Sequence, residues 1–236
     1  MERVKTGISG LDEILGGGLL KGRVYLVAGE SGTGKTIFSL QYVLHGLRSG
    51  ERAVYVTTDE RPEHLIQDAT SLGWDLEKFI DENKLMILEL TPWFTDIEKE
   101  LRAEQIIEGI KGYVREIKAS RLVIDPIAPL FVSFKEPVNP LQLKMMVRNY
   151  LRKLFSLIER MGLTTIATSE IPTGTRRLSR YGVEEFLASG IIVLGMKVKG
   201  STCIRYLYVK KMRGTPHSLN IYPFTIMRER GIVLSV

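Results

Sequence analysis

Short apolar, β-branched runs recur along the chain and alternate with longer stretches whose apolar positions return at helical spacing. Arg23–Ala28 (RVYLVA), Ala53–Thr57 (AVYVT), Leu85–Leu90 (LMILEL), Arg121–Ile124 (RLVI) and Thr164–Ser169 (TTIATS) read as strands. Several are apolar almost throughout, the pattern of strands buried on both faces of a parallel sheet. Between them, Thr36–Leu47, Arg61–Leu72, Ala103–Lys118 and Leu141–Met161 read as helices. Pro62 falls in a first turn, where its missing N–H costs nothing, and Gly162 supplies a stop. Strands alternating with helices predict βαβ units, hence an α/β fold with a mostly parallel central sheet flanked by helices. After Leu187 the pattern changes. Ile191–Val198, Thr202–Lys210 and Ser218–Thr225 predict consecutive strands joined by short turns, a partly antiparallel C-terminal end to the same sheet.

Composition narrows the class. The 236 residues are 44% hydrophobic, enough for one well-packed core, and a single domain over 1–236 is expected. No apolar run approaches the roughly 20 residues needed to cross a bilayer. The opening Met1-Glu2-Arg3-Val4-Lys5 lacks the apolar core of a signal peptide, so a cytoplasmic location is expected. A single cysteine, Cys203, excludes an intrachain disulfide and a cysteine metal cluster. The net charge of +6 permits a nucleic-acid partner without requiring one, since nucleotide sites also gather Lys and Arg.

The chemistry is densest at Gly29-Glu30-Ser31-Gly32-Thr33-Gly34-Lys35-Thr36, which fits G-x-x-x-x-G-K-[ST] at every specified position. It follows a predicted strand and opens a predicted helix, as the motif requires. Gly32 and Gly34 let the backbone curl so that successive N–H groups converge on phosphate oxygens, and the helix N-terminus adds partial positive charge. Lys35 is expected on the β- and γ-phosphates of bound ATP or ADP, and the Thr36 hydroxyl on Mg²⁺. Asp125 ends a core strand, where its carboxylate would face the ligand crevice and serve as the acidic Mg²⁺ partner. Asp59 and Glu60 follow the strand Ala53–Thr57. They suit either a general base beside the γ-phosphate or the cap of the helix that begins near Arg61.

These residues resemble the RecA/RadA superfamily, and specifically a single KaiC-like ATPase domain. The resemblance runs through Thr6-Gly7-Ile8-Ser9-Gly10-Leu11-Asp12, Gly16-Gly17-Gly18-Leu19, the phosphate loop, Asp59-Glu60, Asp125 and Thr168-Ser169-Glu170. It continues through Lys211-Met212-Arg213-Gly214-Thr215-Pro216-His217 and Tyr222-Pro223-Phe224. The last stretch discriminates best, because phosphate loops serve many unrelated activities. The resemblance implies a RecA-like core, Mg²⁺-dependent ATP hydrolysis, and a homo-oligomeric ring, commonly a hexamer, with nucleotide between neighbouring subunits. It implies that Asp59 and Glu60 hold the catalytic carboxylate positions, Glu60 polarising water. It also implies that Lys211 and Arg213 reach the neighbour's γ-phosphate and that His217 lies near the neighbour's nucleotide sugar. A regulatory or signalling role follows from the same likeness.

Two departures bear on function. The chain carries one such domain where KaiC has two. At the positions of KaiC's adjacent Ser and Thr phosphoacceptors it has Glu185 and Phe186, which argues against a clock-type phosphorylation cycle and leaves Ser179 and Ser189 as unsupported acceptors. The alternative function is a DNA-dependent ATPase of RecA/RadA type in recombination or repair. Pro172–Tyr181 (PTGTRRLSRY), with Arg176, Arg177, Arg180 and Tyr181, could contact phosphates and stack on bases, but a solvated loop accounts for it better.

Overall fold

The computed structural model describes residues 1–90, 103–131, 139–172, 174–175 and 177–235. At the start, β1 (Arg3–Val4) and β2 (Leu19–Leu20) form an antiparallel ribbon around the short α1 (Leu11–Ile14). The main sheet then begins with β3 (Val24–Gly29), α2 (Lys35–Arg48), β4 (Ala53–Thr57), α3 (Pro62–Ser71), α4 (Glu77–Asp81) and β5 (Leu85–Glu89). It continues with α5 (Ala103–Glu116), β6 (Arg121–Asp125), α6 (Pro140–Arg160) and β7 (Thr164–Glu170). The chain closes with α7 (Glu184–Leu187), β8 (Gly190–Lys199), β9 (Thr202–Met212), β10 (Tyr222–Met227) and β11 (Gly231–Leu234).

The nine strands lie in the order β11-β10-β9-β8-β3-β7-β6-β4-β5. From β8 to β5 every pairing is parallel, and β9, β10 and β11 extend the sheet antiparallel. Of the three late strands expected, the first is thus parallel to β3, and direction reverses only at the turn from β8 into β9. The third begins at Tyr222 rather than Ser218, and β11 follows it unanticipated.

Side chains alternate across the sheet, so each strand feeds two cores. Tyr25, Val27, Val123 and Ile166 face Phe38, Tyr42 and Val43 of α2 and Leu65 of α3. Val24, Leu26, Leu122 and Ile124 face Ile106 and Ile110 of α5 and Leu151 and Leu154 of α6. Asn139 starts α6 with a capping box: its side chain accepts from Gln142 N at 2.9 Å while Gln142 Oε1 accepts from Asn139 N at 3.2 Å.

At the amino-terminal end of the sheet, Arg121 is buried at 1% exposure. Its Nε and Nη2 donate to both Glu51 oxygens at 2.9 and 2.7 Å, and its Nη1 donates to Lys5 O and Tyr42 O. The guanidinium also lies 4.5 Å from the Tyr42 ring centroid. This forked pair ties β6 to α2 and to the loop that precedes β4.

Candidate functional site

β3 delivers the chain into a tight loop at Gly29, and α2 starts at Lys35 with Gly34 as its N-cap, one residue earlier than expected. Gly32 and Gly34 take φ values of 76° and 102°, which side chains with a Cβ adopt only under strain. Inside the loop, Thr33 Oγ1 donates to Glu30 O at 2.8 Å. Lys35 Nζ donates to Gly29 O and Glu30 O, both at 2.9 Å. Two of its three N–H groups are so used. Burial disfavours the Lys35 ammonium and lowers its pKa, against the opposing pull of Glu170 and Asp125.

The loop opens on a cleft of about 350 Å³ at the carboxyl ends of β3, β4, β6 and β7. Lys35, Thr36, Asp59, Glu60, Asp125 and Glu170 all line it, together with Ser31, Gly32 and Gly34 of the loop. Residues spread from 31 to 170 are brought together because parallel strands present all their carboxyl ends at one edge.

Asp125 is 8% exposed and held on both oxygens. Tyr55 Oη donates to its Oδ2 at 2.6 Å, and Thr168 Oγ1 donates to its Oδ1. Asp59 and Glu60 sit on a turn fastened at two points. Thr57 Oγ1 donates to Glu60 O at 2.7 Å, and Thr58 N and Oγ1 donate to Asp125 O and Pro126 O at 3.1 and 2.8 Å. The pKa of each acid is raised, first by burial and then by the Asp125 carboxylate. Helix α3 has Arg61 at its N-cap, with no side-chain cap bond. Among the described residues no group of three or more His, Cys, Asp or Glu side chains could hold a metal alone.

Comparison with known proteins decides the family. Residues 4–235 match the family described as the KaiC ATPase. The chain belongs to the KaiC family. The circadian clock oscillator protein KaiC of Prochlorococcus marinus subsp. pastoris is 37% identical over 99% of this chain and 45% of its own length. The circadian clock protein KaiC3 of Synechocystis is 33% identical over 99% of this chain and 46% of its own length. The chain spans about half the length of the curated relatives it matches. A crystal structure of a KaiC-like protein from the archaeon Pyrococcus horikoshii OT3 superposes with a TM-score of 0.85 at 38% identity, covering 100% of this chain and 99% of that one. The KaiC-type core is RecA-like, as the strand order and the loop–helix junction indicate.

The remaining residues named from the KaiC likeness lie outside the cleft. Lys211 Nζ donates to Glu185 O, Phe186 O and Ala188 O at 2.9, 3.4 and 2.7 Å, gripping the end of α7. Burial, then the Arg213 charge, lowers the Lys211 pKa. Arg213 donates to Phe186 O at 3.1 Å. His217 Nδ1 lies 3.2 Å from Thr215 O, and its Nε2 is buried with no protein partner. None of the three lines the cleft of its own chain.

A different cation does. Arg205, on β9, donates from Nη2 to Gly32 O at 3.3 Å and lines the cleft. Sequence reasoning missed it, because nothing local marks one basic residue on a strand 173 residues from its loop partner. Asp68, on α3, was missed in the same way. In the Pro172–Tyr181 segment, Arg177 and Arg180 are exposed, Tyr181 is partly buried against the α6-side core, and Arg176 lies outside the described residues. Ser179 is fully buried and donates to the Glu185 carboxylate, and Ser189 is buried too. No described helix is long and apolar enough to cross a membrane.

Proposed function

We propose that this chain is a Mg²⁺-dependent ATP-binding protein and ATP hydrolase of KaiC type, acting as one ATPase domain whose sites are completed between neighbours in a closed ring. One observation carries the reading. Lys35 and Thr36 of the loop motif, the pair Asp59 and Glu60, and Asp125, from three separate stretches of sequence, all line one cleft. On this reading the backbone of Glu30–Thr36 cradles the phosphates and Lys35 meets the β- and γ-phosphates.

The donors fit Mg²⁺. Thr36 and Asp125 offer hard oxygens and no soft ligand, and Mg²⁺ binds through one or two such groups while keeping water and phosphate oxygens around it. When bound, it supplies charge neutralisation on the phosphate oxygens. The chain's own residues do the rest. Glu60, backed by Asp59, orients the attacking water and accepts its proton. A raised pKa brings a carboxylate closer to the proton affinity such a base needs.

Lys211 and Arg213 act in trans on the neighbour's γ-phosphate, with His217 near the neighbour's sugar. Their separation from their own cleft supports this, as does the family likeness. A head-to-tail contact that closes gives cyclic symmetry, in a hexamer by resemblance. Hydrolysis then changes conformation or partner affinity, a regulatory or signalling role.

The test is phosphate release from ATP with and without Mg²⁺, paired with a size measurement with and without ATP. Lys35→Ala is expected to abolish binding or turnover. Wild-type affinity and rate in that variant would refute the site.

A further inference from the structure

We infer that Tyr55 and Thr168 are positioning residues for Asp125, clamping its carboxylate so that its remaining acceptor sites are fixed toward the metal. The inference deepens the reading of Asp125 as a Mg²⁺ partner and rests on it.

The sheet register makes the clamp. Asp125 is the last residue of β6. Ile124 pairs with Ala167 of β7, which puts Thr168 beside Asp125 on the neighbouring strand. On the other side Thr57 of β4 pairs with Asp125, and Tyr55, two residues upstream, has its side chain on the same face. The Tyr55 ring is long enough to run along the sheet to the carboxylate. Both donors are buried, Tyr55 at 1% and Thr168 at 0% exposure, so water does not compete for these bonds.

Each Asp125 oxygen receives one hydroxyl, from Tyr55 on Oδ2 and from Thr168 on Oδ1. An ionised carboxylate has about four acceptor sites. Two are taken, and the two left lie on a group that cannot turn about its last torsion without breaking a buried bond. A free carboxylate of this sort would lose rotational freedom on binding a metal, whereas a clamped one has lost it on folding. Groups that orient a ligand from behind typically change metal affinity about 10–100-fold when removed.

Position alone does not single these residues out as catalytic. Tyr55 belongs to the α2-side core, and Thr168 is one of several buried threonines of β7. The pairing of the two hydroxyls on one carboxylate gives them a common task.

The experiment follows Mg²⁺ rather than turnover. Binding of a fluorescent ATP analogue to the full chain is titrated with Mg²⁺ in wild type, Tyr55→Phe, Thr168→Val, Thr168→Ser and Asp125→Asn, with circular dichroism as the check on folding. The Mg²⁺ midpoint should rise about tenfold in Tyr55→Phe and in Thr168→Val. It should return close to wild type in Thr168→Ser, which restores the hydroxyl, and binding of the analogue in chelator should be unchanged in Tyr55→Phe, Thr168→Val and Thr168→Ser. A merely structural role would weaken binding with and without Mg²⁺ alike. Should Tyr55→Phe not fold, the Val and Ser pair at 168 decides. The clamp is overturned if folded Tyr55→Phe and Thr168→Val both keep the wild-type midpoint. It also falls if Asp125→Asn keeps that midpoint, but then the reading of Asp125 fails with it, and the two failures are told apart.

Discussion

Gly46→Ala is expected to destabilise the protein even though it replaces glycine by the best helix former inside α2. Gly46 is buried in that helix, against the Arg121 side chain. A Cβ built there would sit 2.8 Å from Arg121 Cζ and closer still to its Nε and Cδ. Two effects compete. The propensity gain of Ala over Gly in a helix interior is about 1 kcal/mol. Against it, Arg121 has nowhere to go: it is 1% exposed and its guanidinium is bonded to Glu51, Lys5 O and Tyr42 O. Forcing it aside breaks a pair whose loss, when buried, costs about 3–5 kcal/mol. The Glu51 side chain is 31% exposed, so water recovers part of that cost and the low end applies. The net is a loss of about 2 kcal/mol, a fall of roughly 4–8 °C in Tm for a chain of this size. Thermal unfolding followed by circular dichroism measures it. Glu51→Gln tests the cause, since the double variant should be less destabilised than the sum of the two single ones. A Tm for Gly46→Ala equal to wild type or higher would show that Arg121 is not held as argued.

Glu60→Gln is expected to bind ATP normally yet hydrolyse it about 10²–10⁴-fold more slowly, because an amide cannot take a proton from water. A single-turnover rate within twofold of wild type would move the base to Asp59 or elsewhere. Mixing Glu60→Gln with Arg213→Ala should hydrolyse ATP faster than either alone, since some interfaces then hold both wild-type residues. No recovery between subunits that demonstrably exchange would place Arg213 in cis or outside the mechanism. With pH, turnover should fall on the acid side as Glu60 protonates. That limb should lie above the ordinary glutamate pKa of about 4.3, because burial and Asp125 favour the neutral acid. An acid limb at or below that value would exclude Glu60 as the titrating base.

What sequence could and could not disclose follows from range. The glycine-rich loop was legible because its motif is local: Gly29, Gly34, Lys35 and Thr36 fall within eight consecutive residues. The parallel strands were legible because burial on both faces writes an apolar run. The place of Asp125 in the cleft was legible from its position at such a run's end. The β1–β2 ribbon was not, since two-residue strands carry no period, and β11 is only four residues long. The late boundary at Tyr222 was misjudged because Ser218–Ile221 have a strand-like composition but lead irregularly into β10. Arg205 and the Tyr55–Asp125–Thr168 clamp depend on register between distant strands, which no spacing along the chain encodes. Asp59 and Glu60 suit base and cap alike in the sequence; the structure lines the cleft with both and puts Arg61 at the N-cap of α3.

The strand that leads into the phosphate loop has no early partner. Both edges of β3 are covered by later sequence: Tyr25 pairs with Ile166 on one side and with Gly190 on the other. During synthesis, a nascent chain that has already exposed Lys35 therefore carries an unzipped apolar ribbon until residues 164–199 leave the ribosome. Such an edge invites pairing with the wrong chain, and closing it waits on contacts far apart in sequence, which slows folding. The cleft's first-translated strand therefore cannot gain either of its sheet partners until most of the chain has been made.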